Sequence, residues 1–142
     1  MTVYVDRSTT FREGQYIGTS GSNGDPPVHP IVISYSLPSG VQAPYMEHPG
    51  QSYRGASRTA YLPNTQAGRR LLKRLQFAFM SGLSFKVGTS LTTGRTNTVV
   101  WTSIHHKTSL HGGTHGYPDP DFLRRCGEEL DALHVPKAED CF

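Results

Sequence analysis

Ser84-Phe85-Lys86-Val87-Gly88-Thr89-Ser90-Leu91-Thr92-Thr93-Gly94-Arg95-Thr96-Asn97-Thr98-Val99-Val100-Trp101-Thr102-Ser103-Ile104 reads as two strands, 84–89 and 96–104, around a glycine-bearing turn. A helix stands directly before it. Leu71, Leu75, Ala78 and Phe79 recur at helical spacing over about 66–81, Asn64 or Thr65 can cap the start, and Gly82 stops the end. Arg69, Arg70, Lys73 and Arg74 fall on its other face. Further upstream, Ile31-Val32-Ile33-Ser34-Tyr35 is a β-branched apolar run, and Thr2–Val5 makes a short first strand. Between them, at about 7–29, lies a Gly/Ser/Pro-rich loop with Ser20-Gly21-Ser22-Asn23-Gly24-Asp25-Pro26-Pro27 at its centre. Residues 38–66, punctuated by Pro38, Pro44, Pro49 and Pro63, read as irregular extended chain. Downstream, Asp119-Pro120-Asp121 opens a second helix over about 120–134, with Phe122, Cys126, Leu130 and Leu133 as its buried stripe and Pro136 beyond its end. Two strands that follow each other without an intervening helix break any regular β-α alternation. The expected class is α+β, with small antiparallel sheets and two main helices.

At 142 residues and 15.6 kDa the chain is the size of one domain, expected over 1–142. Hydrophobic residues at 35%, with 15 glycines and 10 prolines, suit a loop-rich globular protein and exclude a coiled coil. No apolar run approaches the ~20 residues of a membrane span, and the N-terminus has no secretory pattern. The two cysteines, Cys126 and a Cys141 at a fraying end, make neither a disulfide scaffold nor a RING, so an intracellular setting, cytoplasmic or nuclear, is expected. Charge is unevenly placed. All eleven acids lie in residues 1–47 or 119–142, whereas 48–118 carries nine basic residues: Arg54, Arg58, Arg69, Arg70, Lys73, Arg74, Lys86, Arg95 and Lys107. Such a block is either a solvated basic face or a surface for an anionic partner.

The 88–96 turn is rich in hydroxyls and follows a strand, but its glycine spacing, Arg95 in place of lysine and the absent helix exclude a Walker loop. It stands either as a plain hairpin turn or as an anion-contacting one, with backbone N–H groups and hydroxyls free to donate. His111 and His115 have a zinc-compatible spacing, yet Gly112 and Gly113 break the helix that would present them, and no metal is expected. His105 and His106, if still on a strand, face opposite ways, so at most one serves a cleft. His115, in a glycine-rich loop, is placed for function rather than packing. Cys126 is a core thiol. Glu129 sits beside the buried stripe, where partial burial suits it to proton work or to a ribose diol, while Glu128 reads as a solvated helix acid.

These residues resemble a known family. Gly94-x-Thr96-x-x-Val99-Val100-Trp101-x-x-Ile104-His105-His106-Lys107-Thr108 and His115-Gly116-Tyr117-Pro118-Asp119-Pro120 are similar to the signature of the Deltex C-terminal domain. Pro38-Ser39-Gly40-Val41-Gln42, His48-Pro49-Gly50 and Arg58-x-Ala60-Tyr61-Leu62-Pro63-Asn64 with Gly68 fall in the family's order. The resemblance implies a cleft for ADP-ribose or NAD in a domain that, in the Notch-signalling Deltex ligases, follows a RING. There it recruits ADP-ribosylated targets and presents the adenosine-proximal ribose 3′-hydroxyl for esterification by ubiquitin. His115 and Glu129 match the catalytic pair. Ligand contacts are expected at Arg54, Ser90, Thr92, Thr93, Gly94, Trp101, His105, His115, Tyr117 and Glu129. Leu91 stands where the family commonly has a small hydroxyl residue.

The expected role is therefore a stand-alone ADP-ribose/NAD-binding module that requires no cofactor or metal. It would act with a RING ligase and a ubiquitin-loaded conjugating enzyme in trans, and away from membranes. Two alternatives stay open: an enzyme acting directly on ADP-ribose, a transferase or hydrolase with His115 as base, and a single-stranded nucleic-acid binder whose basic block tracks phosphates.

Overall fold

The computed structural model describes residues 1–5, 30–108 and 121–141. The loop at 7–29 and the segment 109–120, with His111, His115 and Tyr117, lie outside these residues. Within them the class is α+β. Strand β1 (Thr2–Val5) pairs antiparallel with β2 (Ile31–Leu37), β3 (Gly40–Val41) with β4 (Ser52–Tyr53), and β2 again with β5 (Ala56–Leu62). Helix α1 (Gln66–Met80) follows, then the antiparallel pair β6 (Phe85–Gly88) and β7 (Thr98–Trp101), helix α2 (Phe122–Ala132) and a 3-10 turn at Ala138–Asp140.

Strand β2 is the centre of its sheet, in the order β1-β2-β5. Ile31, Ile33 and Tyr35, two residues apart, project to one face and are buried with Ala60 and Leu62 of β5. Leu71, Leu75 and Ala78 of α1 and Phe122, Cys126 and Leu130 of α2 complete that core. Each large side chain so buried contributes roughly 1.5–3 kcal/mol. The second seven-residue strand, β5, replaces part of the irregular chain expected over 38–66. Its Ser57, Arg58 and Thr59 are exposed and hide it from a hydrophobic reading, and its strand state comes from full pairing with β2.

Thr65 caps α1, its hydroxyl accepting from Gly68 N at 3.0 Å. Gly68 has no alternative there, because an added Cβ would stand 1.9 Å from the carbonyl oxygen of Pro63. Gly82, at a φ of +75°, takes the left-handed position after the helix, and Leu83 N reaches back to Ala78 O at 2.9 Å. Helix α2 begins at Phe122, two residues later than expected, with Asp121 before it and Asp119 and Pro120 outside the described residues. It closes the way α1 does, with His134 at a φ of +60° and Val135 N bonded to Leu130 O.

Two expectations fail here. Arg74 is not on the solvated face of α1. It is buried, and its guanidinium binds the carbonyls of Val135 and Pro136 and the carboxylate of Asp131. Cys141 is not frayed but buried behind the 3-10 turn. Both follow from the chain after α2 folding back over α1, where Arg74 supplies donors for carbonyls left over at the helix end.

Candidate functional site

The segment leaving β7 runs beside β5, where Tyr61 N donates to Lys107 O at 2.8 Å. Held extended there, it alternates: Ile104 and His106 are buried and His105 is exposed. The sequence ended the strand at Ile104, with both histidines just beyond it, but β7 ends at Trp101. The opposite-face expectation holds nonetheless. Lys107 is buried too, its ammonium 5.8 Å from the centre of the Phe122 ring.

His106 is a core residue. Its Nδ1 lies 3.2 Å from the carbonyl of Ile104, which can only accept, so Nδ1 carries the proton and Nε2 accepts from the Tyr35 hydroxyl at 2.8 Å. Burial lowers its pKa to about 4 and keeps it neutral, and burial likewise raises that of the Tyr35 phenol. Trp101 packs on the His106 ring at 4.5 Å, and Tyr35, Phe79 and Phe85 continue the aromatic cluster. Half-buried Trp101 thus belongs to the side of this segment that His106 faces.

His105 turns outward and meets Glu129. The carboxylate of Glu129 accepts from the backbone N–H of His105 at 3.0 Å and from its Nδ1 at 2.5 Å. The His105 side chain is 71% exposed and that of Glu129 27%. Glu129 owes its place to the stripe beside it, since burial of Cys126 and Leu130 fixes the rotation of α2 and sets Glu129 at the boundary. In the neutral imidazole, with Nδ1 donating to the carboxylate, Nε2 keeps its lone pair, and no described residue bonds to it. The pair thus offers acceptors to the hydroxyls of a diol. Glu128 instead pairs along the helix with Arg124, both exposed, as a solvated acid does.

The sequence profile of the Deltex C-terminal domain matches residues 17–135. The chain belongs to the Deltex C-terminal domain family. Among its relatives, a probable E3 ubiquitin-protein ligase DTX3 of Homo sapiens is 49% identical over 107 residues, 74% of this chain and 31% of that protein. E3 ubiquitin-protein ligase DTX1 of Homo sapiens is 43% identical over 119 residues, 81% of this chain and 19% of the relative, and DTX1 of Xenopus laevis is 46% identical over 104 residues. The chain thus spans a third or less of the length of these ligases.

In this Deltex domain the hydroxyl turn is largely satisfied from within. Ser90 N donates to Arg95 O at 2.8 Å, Gly94 N to Ser90 O at 2.9 Å, and Thr93 N to Ser90 Oγ at 3.3 Å. Arg95 N reaches Thr93 Oγ1, and Ser90 Oγ lies 3.2 Å from Thr92 Oγ1. Of the backbone donors expected to be free, those of Ser90, Thr93, Gly94 and Arg95 are therefore engaged, because a tight turn with hydroxyls at these positions caps its own amides. One of the Ser90 and Thr92 hydroxyl protons is used between them; the other, the Thr93 hydroxyl proton and the Arg95 side chain remain. Leu91 at the tip is fully exposed.

Arg54 and Gly94 come together in a groove of about 710 Å³, with Arg95, Ser52, Tyr53 and Thr98 among its walls. Neither Trp101, His105 nor Glu129 lines it. The structure thus pairs His105 with Glu129, packs Trp101 on His106, and gathers Arg54 with Gly94 separately. His115 and Tyr117 are outside the described residues, among which no cluster of three metal-binding side chains occurs. No described helix is long and apolar enough to cross a membrane.

Sequence reasoning missed Asn97. At a φ of +51°, its side-chain oxygen accepts from Gln42 Nε2 at 3.1 Å and His48 Nδ1 at 2.8 Å, and its amide donates to Gln51 Oε1 at 2.9 Å. It thereby ties residues 42–51 to the start of β7. After glycine, asparagine is among the residues most at ease in this left-handed conformation, which is a signal its turn position carried.

Proposed function

We propose that this Deltex domain is an ADP-ribose- and NAD-binding module that recruits ADP-ribosylated targets for ubiquitination. The observation that supports this best is the pairing of His105 with Glu129 across 24 positions of sequence, at the surface. It puts two acceptors where a ribose diol can be held. The hydroxyls of Ser90, Thr92 and Thr93 serve the same ligand. The names of the DTX1, DTX4 and DTX3 relatives, E3 or probable E3 ubiquitin-protein ligases, support the link to ubiquitin.

In this reading the domain supplies a nucleophile rather than a ligase. The adenosine-proximal ribose 3′-hydroxyl attacks the thioester carbonyl of ubiquitin on its conjugating enzyme. An ester forms, the conjugating-enzyme thiolate leaves, and the hydroxyl proton passes to His115 as general base. Glu129 holds the diol in register. The RING that recruits the loaded conjugating enzyme acts in trans.

The direct test is calorimetric titration with ADP-ribose and NAD. Saturable binding to a single site is expected, weakened by at least tenfold in Glu129→Gln and unchanged in Glu128→Gln. Absence of saturation by either ligand at millimolar concentration, in the folded wild-type chain, would overturn the proposal.

A further inference from the structure

The surface carboxylate of Glu129 is joined to the core by an unbroken line of hydrogen bonds. The Tyr35 hydroxyl donates to Nε2 of His106 at 2.8 Å, and Nδ1 of His106 donates to the carbonyl of Ile104 at 3.2 Å. That carbonyl and the N–H of His105 belong to the same peptide group, and the N–H donates to Oε1 of Glu129 at 3.0 Å. We infer that Tyr35 and His106 are positioning residues for the Glu129 carboxylate, acting through the Ile104–His105 peptide. What the carboxylate binds rests on the diol reading above; how it is held rests on these bonds alone.

Every proton in the line points toward the carboxylate. An imidazole that accepts at Nε2 donates more strongly from Nδ1. A peptide oxygen that accepts shifts the amide resonance and makes its own N–H the better donor. Aligned bonds of this kind reinforce one another by ~10–30% each, and the last one here meets a negative charge, where a hydrogen bond is strongest. Tyr35, Ile104 and His106 are all buried, so water does not compete for the inner bonds. Burial also keeps the imidazole neutral, and with it the lone pair that Tyr35 needs. The far end is rigid. Tyr35 lies on the central strand β2, and the rings of Phe79, Phe85 and Trp101 stand 5.3, 5.0 and 5.8 Å from its own. Glu129 is therefore oriented before any ligand arrives, and the carboxylate lone pairs that His105 leaves over remain for one.

The test is amide NMR of the full chain without ligand. Tyr35→Phe keeps the ring and its packing and removes only the first donor. The His105 amide proton should move upfield, while the Tyr61 amide, bonded to Lys107 O beside the line but not in it, should stay in place. A general loosening would move both. With Glu129→Gln already present, Tyr35→Phe should move the His105 amide less, because coupled groups are not additive. In His106→Asn, whose Nδ2 takes the place of Nδ1 without reaching Tyr35, the amide should no longer respond to Tyr35→Phe. An unmoved His105 amide in folded Tyr35→Phe, equal shifts at Tyr61, or a response that persists in His106→Asn would overturn the inference. Calorimetry then reads the consequence. Tyr35→Phe should weaken ADP-ribose binding by about two- to tenfold, the worth of one hydrogen bond. A wild-type chain that binds no ADP-ribose would sink the diol reading, and the amide shifts of the free chain would still decide this one.

Discussion

His105 and His106 are adjacent, yet one is exposed beside a carboxylate and the other is sealed against Tyr35 and Trp101, because the chain between them is extended along β5. That difference has a pH signature. The unfolded chain takes up a proton on this imidazole near 6.5 and the folded chain only near 4. The contribution to stability is therefore complete above about pH 6.5 and is lost as pH falls toward 4, by roughly 3 kcal/mol for this residue. Denaturant unfolding at pH 7, 5.5 and 4 should show the decline, and His106→Gln should remove that part of the slope. An unchanged slope in the variant would assign the acid sensitivity elsewhere. Tyr35→Phe leaves Nε2 of His106 buried without its donor and should cost about 1–3 kcal/mol at neutral pH, measured the same way.

Besides the core they share, the two helices are joined by a polar side chain. Arg74 rises from α1 with only 8% of its side chain exposed and binds Val135 O, Pro136 O and Asp131 just beyond and within α2. Arg74→Met keeps the aliphatic stem but strands those carbonyls, and a loss of about 2–4 kcal/mol is expected. Asp131→Asn should cost much less, since that carboxylate is half exposed and also faces Lys137. Thermal melts of the two variants check the order, and equal losses would make the ion pair rather than the carbonyl bonds the joint. At the start of α1, Thr65→Ala should cost about 1 kcal/mol. Gly68→Ala, which drives a Cβ into the Pro63 carbonyl, should prevent that turn from forming and lower the melting temperature far more.

For the molecule as a whole, the proposed chemistry predicts a division between binding and transfer. His115→Ala should reduce ester formation on labelled ADP-ribose by ~10²–10⁴-fold, the usual worth of a positioned base, while binding survives through contacts elsewhere. The assay is single-turnover transfer from a ubiquitin-loaded conjugating enzyme with a Deltex-type RING added. Full activity in His115→Ala would remove it as the base, and transfer without added RING would show that the chain itself recruits the conjugating enzyme.

Much of this was legible in the chain. The β-branched run at 31–35, the helical spacing of Leu71, Leu75 and Ala78, and the Phe122, Cys126, Leu130 stripe are local patterns whose period fixes element and face together. The Gly94–Thr108 and His115–Pro120 motifs were enough to name the family. Other features were not local. β5 carries no strong pattern and is a strand because β2 lies beside it, and Arg74 looks like any solvated helix arginine until the returning C-terminal segment covers it. The meeting of His105 with Glu129 and of Arg54 with Arg95, and the anchoring of Asn97, depend on chain crossings that composition does not encode. Sequence determined which side chains could bind an anion or a diol. Only the tertiary structure decided which of them share a surface, because burial and pairing are set by partners distant along the chain.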